Sequence, residues 1–219
     1  GLFTLGDFVG RDPRILSLKV QARRAARTSS SVLVYGETGT GKELLIQAIH
    51  SESSRRNGPF IAQNCAAVPE TLLEGLLFGT ARGGFTGAKD RPGLFELAHK
   101  GTLYLDEINS MPVELQAKLL RAIQNKTVRR VGDTEERRID ARIIASISID
   151  PAEALARRQV VPVMTKLSVE PAATICWAAP TVTAVSAPFT PSEYTVGVMR
   201  QLAAVRVPEP EIEALTSSV

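Results

Sequence analysis

The chain has 219 residues, 44% hydrophobic and 22% charged, with a net charge of +3. Such proportions suit a soluble globular protein with one good-sized domain plus extra elements. Two cysteines, Cys65 and Cys176, exclude a disulfide framework or a metal knuckle, and the dispersed arginine pairs read as solvated faces rather than a nucleic-acid stripe.

Residues 1–10 read as an extended lead-in closing on Val9 and Gly10. Pro13 opens a helical stretch with basic residues near its end, as the helix dipole prefers. After a turn of three serines comes Val32-Leu33-Val34-Tyr35, a short β-type run. Gly36-Glu37-Thr38-Gly39-Thr40-Gly41-Lys42-Glu43 follows, then an amphipathic segment through Leu44, Leu45, Ala48 and Ile49. Strand, glycine-rich loop and helix in that order form the context of a phosphate-binding P-loop. The glycines let backbone N–H groups close around phosphate oxygens, the helix N-terminus adds partial positive charge, and Lys42 supplies the point charge for the terminal phosphates. Glu43 stands where Ser or Thr normally contacts magnesium.

Phe60-Ile61-Ala62-Gln63-Asn64-Cys65 reads as a second strand and Pro69 begins a helix running through Phe78. Gly83-Gly84-Phe85-Thr86-Gly87-Ala88 has the composition of a mobile loop with an aromatic tip, although taken alone Phe85 reads as a core residue under a glycine-rich turn. Gly101-Thr102-Leu103-Tyr104-Leu105-Asp106-Glu107 is a buried strand ending in two acids. Asp106 can hold magnesium and Glu107 can polarise the water that attacks the γ-phosphate. A helix follows Pro112, residues around Thr127 to Asp133 suggest a hairpin, and Arg142-Ile143-Ile144-Ala145-Ser146-Ile147 is another core strand. Strands alternating with helices imply an α/β fold with a parallel sheet, both nucleotide motifs lying at the strands' C-terminal ends. His50 and His99 read as surface or helix-end histidines.

From about Gln159 the character changes, with seven of the thirteen prolines between Pro162 and Pro210 and one plausible helix, from Thr195 to Val205. The expected division is a core over residues 1–150 and a divergent tail over 151–219. Residues 171–192 carry no charge, but four prolines and six Ser/Thr there argue against a membrane span. No signal peptide is visible, and Gly1 rather than Met at the start leads us to expect a cytoplasmic fragment or processed chain.

From about Phe3 to Asp150 the chain resembles the central AAA+ domain of bacterial sigma-54-dependent transcriptional activators. The resemblance rests on the P-loop with its Glu43, on Gly93-Leu94-Phe95-Glu96-Leu97-Ala98-His99-Lys100-Gly101-Thr102 leading into Leu103 to Glu107, and on the Gly83 to Ala88 loop, where Gly84 replaces the usual Ala. Within that family it looks most like arginine-catabolism regulators, on Leu77-Phe78-Gly79-Thr80 and the context of Asn64-Cys65. The resemblance implies ATP and Mg2+ as ligands, Val9 and Gly10 lining the adenine pocket, and Asn64 hydrogen-bonding Glu107 as a switch. By itself Asn64 would be a strand-end turn residue. It also implies that Phe85 and Thr86 touch sigma-54, that RNA polymerase is the target, and that protomers assemble into a hexameric ring, with DNA reached through a module not found in this chain.

Three features depart from that pattern. Ser148 occupies the place of the family's γ-phosphate-sensing Asn, the arginine block that reaches into a neighbouring subunit is not found, and neither is the helical lid. The loss of periodicity after about Val160 is expected of a stretch read out of frame; a divergent but genuine lid is the other reading. A remnant that binds ATP without hydrolysing it, and a general AAA+ chaperone or loader, are the alternatives for function.

Overall fold

A computed structural model describes residues 1–10, 12–83, 89–157, 159, 160 and 174–176. In chain order its elements are α1 (Pro13–Ala26), β1 (Val32–Tyr35), α2 (Lys42–Ser51), β2 (Phe60–Asn64), α3 (Glu70–Phe78), β3 (Gly79–Thr80), β4 (Arg91–Pro92) and α4 (Leu94–Leu97). There follow β5 (Thr102–Asp106), a 3-10 turn (Ile108–Ser110), α5 (Val113–Asn125), β6 (Thr127–Arg129), β7 (Glu136–Arg138), β8 (Arg142–Ile147), α6 (Pro151–Ala156) and β9 (Thr174–Cys176).

The main sheet has the order β2-β5-β8-β1-β9, and every pair in it is parallel. Period-2 alternation sends the strand side chains to two layers. Leu33, Leu103, Leu105, Ile143, Ala145 and Ile147 pack with Leu73 and Leu77 of α3 and with Leu115 and Leu119 of α5. Val32, Val34, Tyr104 and Ile144 pack on the other side with Leu18 and Ala22 of α1 and with Leu45, Ile46 and Ile49 of α2. Covered on both faces, all six residues of the central β8 are buried. The expected α/β architecture is present.

Local signals set the helix ends. Asp12 caps α1, its carboxylate accepting the Arg14 N–H at 2.8 Å. Pro69 stands just before α3 and Pro112 just before α5, where a missing N–H costs nothing. The expected hairpin is β6–β7, antiparallel from Thr127↔Arg138 to Arg129↔Glu136.

Two expectations are corrected or extended. His50 is not at the surface: it is fully buried, its Nδ1 2.8 Å from Thr102 Oγ1 and its ring 5.2 Å from that of Phe60. It stands in the last turn of α2, as expected of a helix-end histidine, but on the face that packs against Thr102 and Phe60 of the sheet rather than toward solvent. His99 is exposed, as expected. The three-residue β9 pairs with β1 through Leu33↔Thr174, Val34↔Ile175 and Tyr35↔Cys176; a strand so short leaves no period to detect. The helix expected from Thr195 to Val205 falls outside the described residues. Among the described residues no helix is long and apolar enough to cross a membrane.

Candidate functional site

The parallel sheet brings the C-terminal ends of β1, β8, β5 and β2 to one edge, and the loops leaving them carry the candidate residues. The turn after β1 is the P-loop. Gly39 and Gly41 adopt φ of 83° and 84°, the left-handed region that side chains resist. Gly41 is the N-cap of α2 and offers no side-chain cap, so the first-turn amides of α2 meet no side-chain acceptor from the cap. Glu37, Thr38 and Gly39 are exposed, whereas Gly36, Thr40 and Lys42 are buried. Lys42 Nζ donates to the carbonyls of Gly36 at 2.7 Å and Glu37 at 3.0 Å, and Thr40 Oγ1 donates to Glu37 O at 2.8 Å. An ammonium has three N–H donors, so these two carbonyls leave one for an incoming oxygen. Glu43 is exposed and its Oε1 accepts from Gln47 Nε2 at 3.2 Å.

The acids do not sit on the strand next to the P-loop: β8 lies between β1 and β5. Adjacent strands are about 4.8 Å apart, so a gap of roughly 10 Å separates the P-loop strand from the acidic one. Ser146 and Ser148, at the end of β8, reach the acids. Ser146 Oγ donates to Asp106 Oδ1, and Ser148 Oγ donates to Glu107 Oε2 at 2.7 Å. Ser146 Oγ also lies 3.2 Å from the Tyr104 hydroxyl and 3.4 Å from the Glu107 N–H. Burial pushes the Tyr104 phenol upward, so it stays protonated.

Asn64 is near the acids but not where expected. Its Nδ2 donates to Asp106 Oδ2 at 3.1 Å, while its Oδ1 accepts the N–H groups of Ala66 at 2.8 Å and Ala67 at 3.2 Å. The Asn64–Glu107 hydrogen bond implied by the resemblance is therefore not the one formed. Register explains this: Asn64 and Asp106 are direct partners across β2 and β5. Glu107 lies past the strand end with φ of 53°, which turns it toward β8. Next to the pair, Cys65 is a buried thiol pushed up to about 12 by desolvation, with Asp106 and Glu107 adding to the effect.

Val9 is 96% exposed and Gly10 packs against Ile15 at the start of α1. The lead-in lies along α2: Phe3 N donates to Gln47 Oε1 at 3.3 Å, and Ser51 Oγ donates to Phe3 O at 2.8 Å.

Of the expected partner loop, Gly83 is described and has φ of 86°, whereas Gly84, Phe85, Thr86, Gly87 and Ala88 lie outside the described residues. The base of that loop is closed by β3 and β4, paired Gly79↔Pro92 and Thr80↔Arg91. The turn between β6 and β7 is stitched to it, with Val131 N donating to Gly79 O at 2.9 Å and Ala81 N donating to Val131 O at 3.0 Å. Gly79 has φ of 87° and a Cβ there would lie 2.6 Å from Arg91 O, so only glycine fits this crossing. Arg130 secures the stitch, donating to both Glu96 oxygens at 2.8 Å and to Asp90 Oδ1 at 2.8 Å. The guanidinium holds the Glu96 carboxyl below its usual range. Neither this clasp nor Ser146 was picked out from the sequence; a polar residue inside the apolar run of β8 was the available signal for Ser146.

The residues fit a nucleotide with its metal. The uncapped α2 amides and Lys42 suit an anion, and Asp106 and Glu107 suit a hard cation. Among the described residues no cluster of three or more metal-ligating side chains exists.

Comparison with known proteins agrees with this geometry. The chain is 58% identical over 154 residues to the transcriptional activator RocR of Bacillus subtilis, covering 70% of this chain and 33% of that protein. It is 36% identical to NtrX from Brucella abortus in a crystal structure in complex with ATP, with a TM-score of 0.69 over 77% of this chain and 36% of that one. A P-loop NTPase domain of an E. coli sigma-54 activator shares the fold at 17% identity, with a TM-score of 0.52 over 76% of this chain and 97% of that one. The chain thus spans about a third of the length of the curated relatives it matches. With the profile of the Sigma-54 interaction domain matching residues 8–169, the chain belongs to that family.

Proposed function

We propose that the chain binds ATP with Mg2+ at this edge and serves as the ATPase core of a sigma-54-dependent transcriptional activator, remodelling sigma-54 RNA polymerase. The observation that carries this reading is the meeting, at one sheet edge, of the uncapped α2 N-terminus with Lys42 and of the Asp106–Glu107 pair across β8. The crystal structure of NtrX from Brucella abortus in complex with ATP, at 36% identity, supports it.

In this reading the amides of residues 36–43 and the Lys42 ammonium bind the phosphates, with Glu37, Thr38, Gly39 and Thr40 shaping the loop around them. Val9 and Gly10 line the adenine. Asp106 would hold the metal, which would supply positive charge beside the phosphates, and the Glu107 carboxylate would orient and deprotonate the attacking water. Asn64, bonded to Asp106 in place of Glu107, couples nucleotide state to the loop. The Phe85-Thr86 tip engages sigma-54, and the Arg130–Glu96 clasp gives that loop a firm base. Protomers assemble in a ring. Phe85→Ala is expected to abolish sigma-54 engagement while sparing ATP binding; loss of both rejects the loop assignment.

A second reading, an ATP-binding remnant without turnover, is favoured by one observation: Ser148, in the place of the sensing Asn, is occupied with Glu107. Arginine fingers contribute about a thousandfold or more to turnover. Nucleotide titration beside phosphate release separates the readings: binding without release supports the remnant, and no binding rejects both. The division into a core over residues 1–150 and an out-of-frame tail from about 160 belongs to the same proposal; the pairing of β9 with β1 and the family match as far as residue 169 weigh against it, and the coding DNA tests it.

A further inference from the structure

We propose that Ser146 is the positioning residue for the Asp106 carboxylate, and that it sets how tightly this chain takes a divalent cation together with a nucleotide. The inference rests on the nucleotide reading above and adds a residue to it.

Ser146 is fully buried in β8, flanked in sequence by Ala145 and Ile147. A buried hydroxyl costs free energy unless it is hydrogen-bonded, and alanine would occupy the position with nothing to satisfy. Its bonds account for its presence. The single hydroxyl hydrogen goes to Asp106 Oδ1, so in the 3.2 Å contact with Tyr104 the phenol is the donor. The remaining acceptor position faces the Glu107 N–H at 3.4 Å. One oxygen atom thus ties the carboxylate of Asp106 to the backbone of Glu107. That backbone is held at φ of 53°, a region non-glycine residues seldom adopt without support.

The other carboxylate oxygen is held by Asn64 Nδ2 at 3.1 Å. With a donor on each oxygen, rotation of the Asp106 carboxylate is blocked, and each oxygen keeps a second lone pair for a cation or its bound water. Partners that orient a metal ligand commonly change metal affinity by about ten- to a hundredfold when removed. Among the described residues no hydrogen bond joins Ser146 Oγ to a P-loop amide, so phosphate binding in the absence of metal should be indifferent to it.

The test uses the full chain, a non-hydrolysable ATP analogue and Mn2+ as a paramagnetic probe, with metal-free analogue binding measured in chelator. Ser146→Ala is expected to weaken Mn2+ binding about tenfold or more and leave metal-free binding unchanged. Tyr104→Phe, which deletes the phenol that donates to the hydroxyl and also faces Asp106, is expected to weaken Mn2+ binding about threefold. The proposal is overturned if Ser146→Ala takes Mn2+ as tightly as the unaltered chain, or if its metal-free binding falls by the same factor. Should Ser146→Ala not fold, unchanged Mn2+ affinity in Tyr104→Phe overturns it instead. An unaltered chain with no affinity for the analogue would reject the nucleotide reading itself, a different result.

Discussion

The two edges of the same parallel sheet place polar side chains on the same strands to opposite purposes. Strand β5 starts at Thr102, hydrogen-bonded to His50, and ends at Asp106; β8 starts at Arg142 and ends beside Ser148. At the N-terminal edge the polar groups are sealed. Arg142 is 2% exposed, and its guanidinium donates to Ala25 O at 2.5 Å and to Ser30 O at 3.1 Å, tying down the end of α1. Burial, with Arg55 nearby, lowers its affinity for a proton to a pKa of about 10. Arg142 Nη1 and His50 Nε2 are buried with no hydrogen-bond partner among the described residues. At the C-terminal edge Asp106 and Glu107 are half-buried and Asn64 is exposed, with lone pairs left for a ligand. Sealed polar groups hold elements together, whereas half-open ones keep lone pairs for a ligand, so on the proposed function substitutions at the two edges should separate stability from activity.

The sharpest test of that contrast is Glu107→Gln. Whatever phosphate release the chain supports should fall by about 10²–10⁴-fold, the usual contribution of a general base, with nucleotide affinity and melting temperature held. A large loss of stability would place Glu107 with the sealed groups. Next in size is Arg142→Ala, expected to lower unfolding free energy by about 2–4 kcal/mol in urea titration, since two carbonyls lose a charged donor. Nucleotide binding in the protein that remains folded should be unchanged.

A third test uses pH. His50 is depressed from its ordinary value of 6.5, first by desolvation and second by Arg142. Below that value the unfolded chain takes up a proton that the folded one refuses, so stability falls as pH drops from about 6.5, at no more than about 1.4 kcal/mol per unit. His50→Gln should flatten that part of the profile; an unchanged slope would show that another group is responsible. The smallest effect is at Lys126, the C-cap of α5, held at φ of 53°. Lys126→Gly should stabilise the fold by about 0.5–1 kcal/mol in urea titration, relieving a left-handed backbone away from the C-terminal edge of the sheet.

Residue order alone carried the P-loop, because its spacing is local: a strand, a glycine turn and a helix within about twenty residues. It carried the acid-tipped strand and the helix after Pro112 for the same reason, since periodicity and end signals act over a few residues. Only the folded arrangement decided which side chains meet. Asn64 pairs with Asp106 rather than Glu107, Ser146 and Ser148 divide the two acids, and His50 is buried, all through contacts between residues about 40 or 50 positions apart. Such contacts follow from strand order and register, above all from β8 lying between β1 and β5, and register is a property of neighbouring strands that no single segment contains.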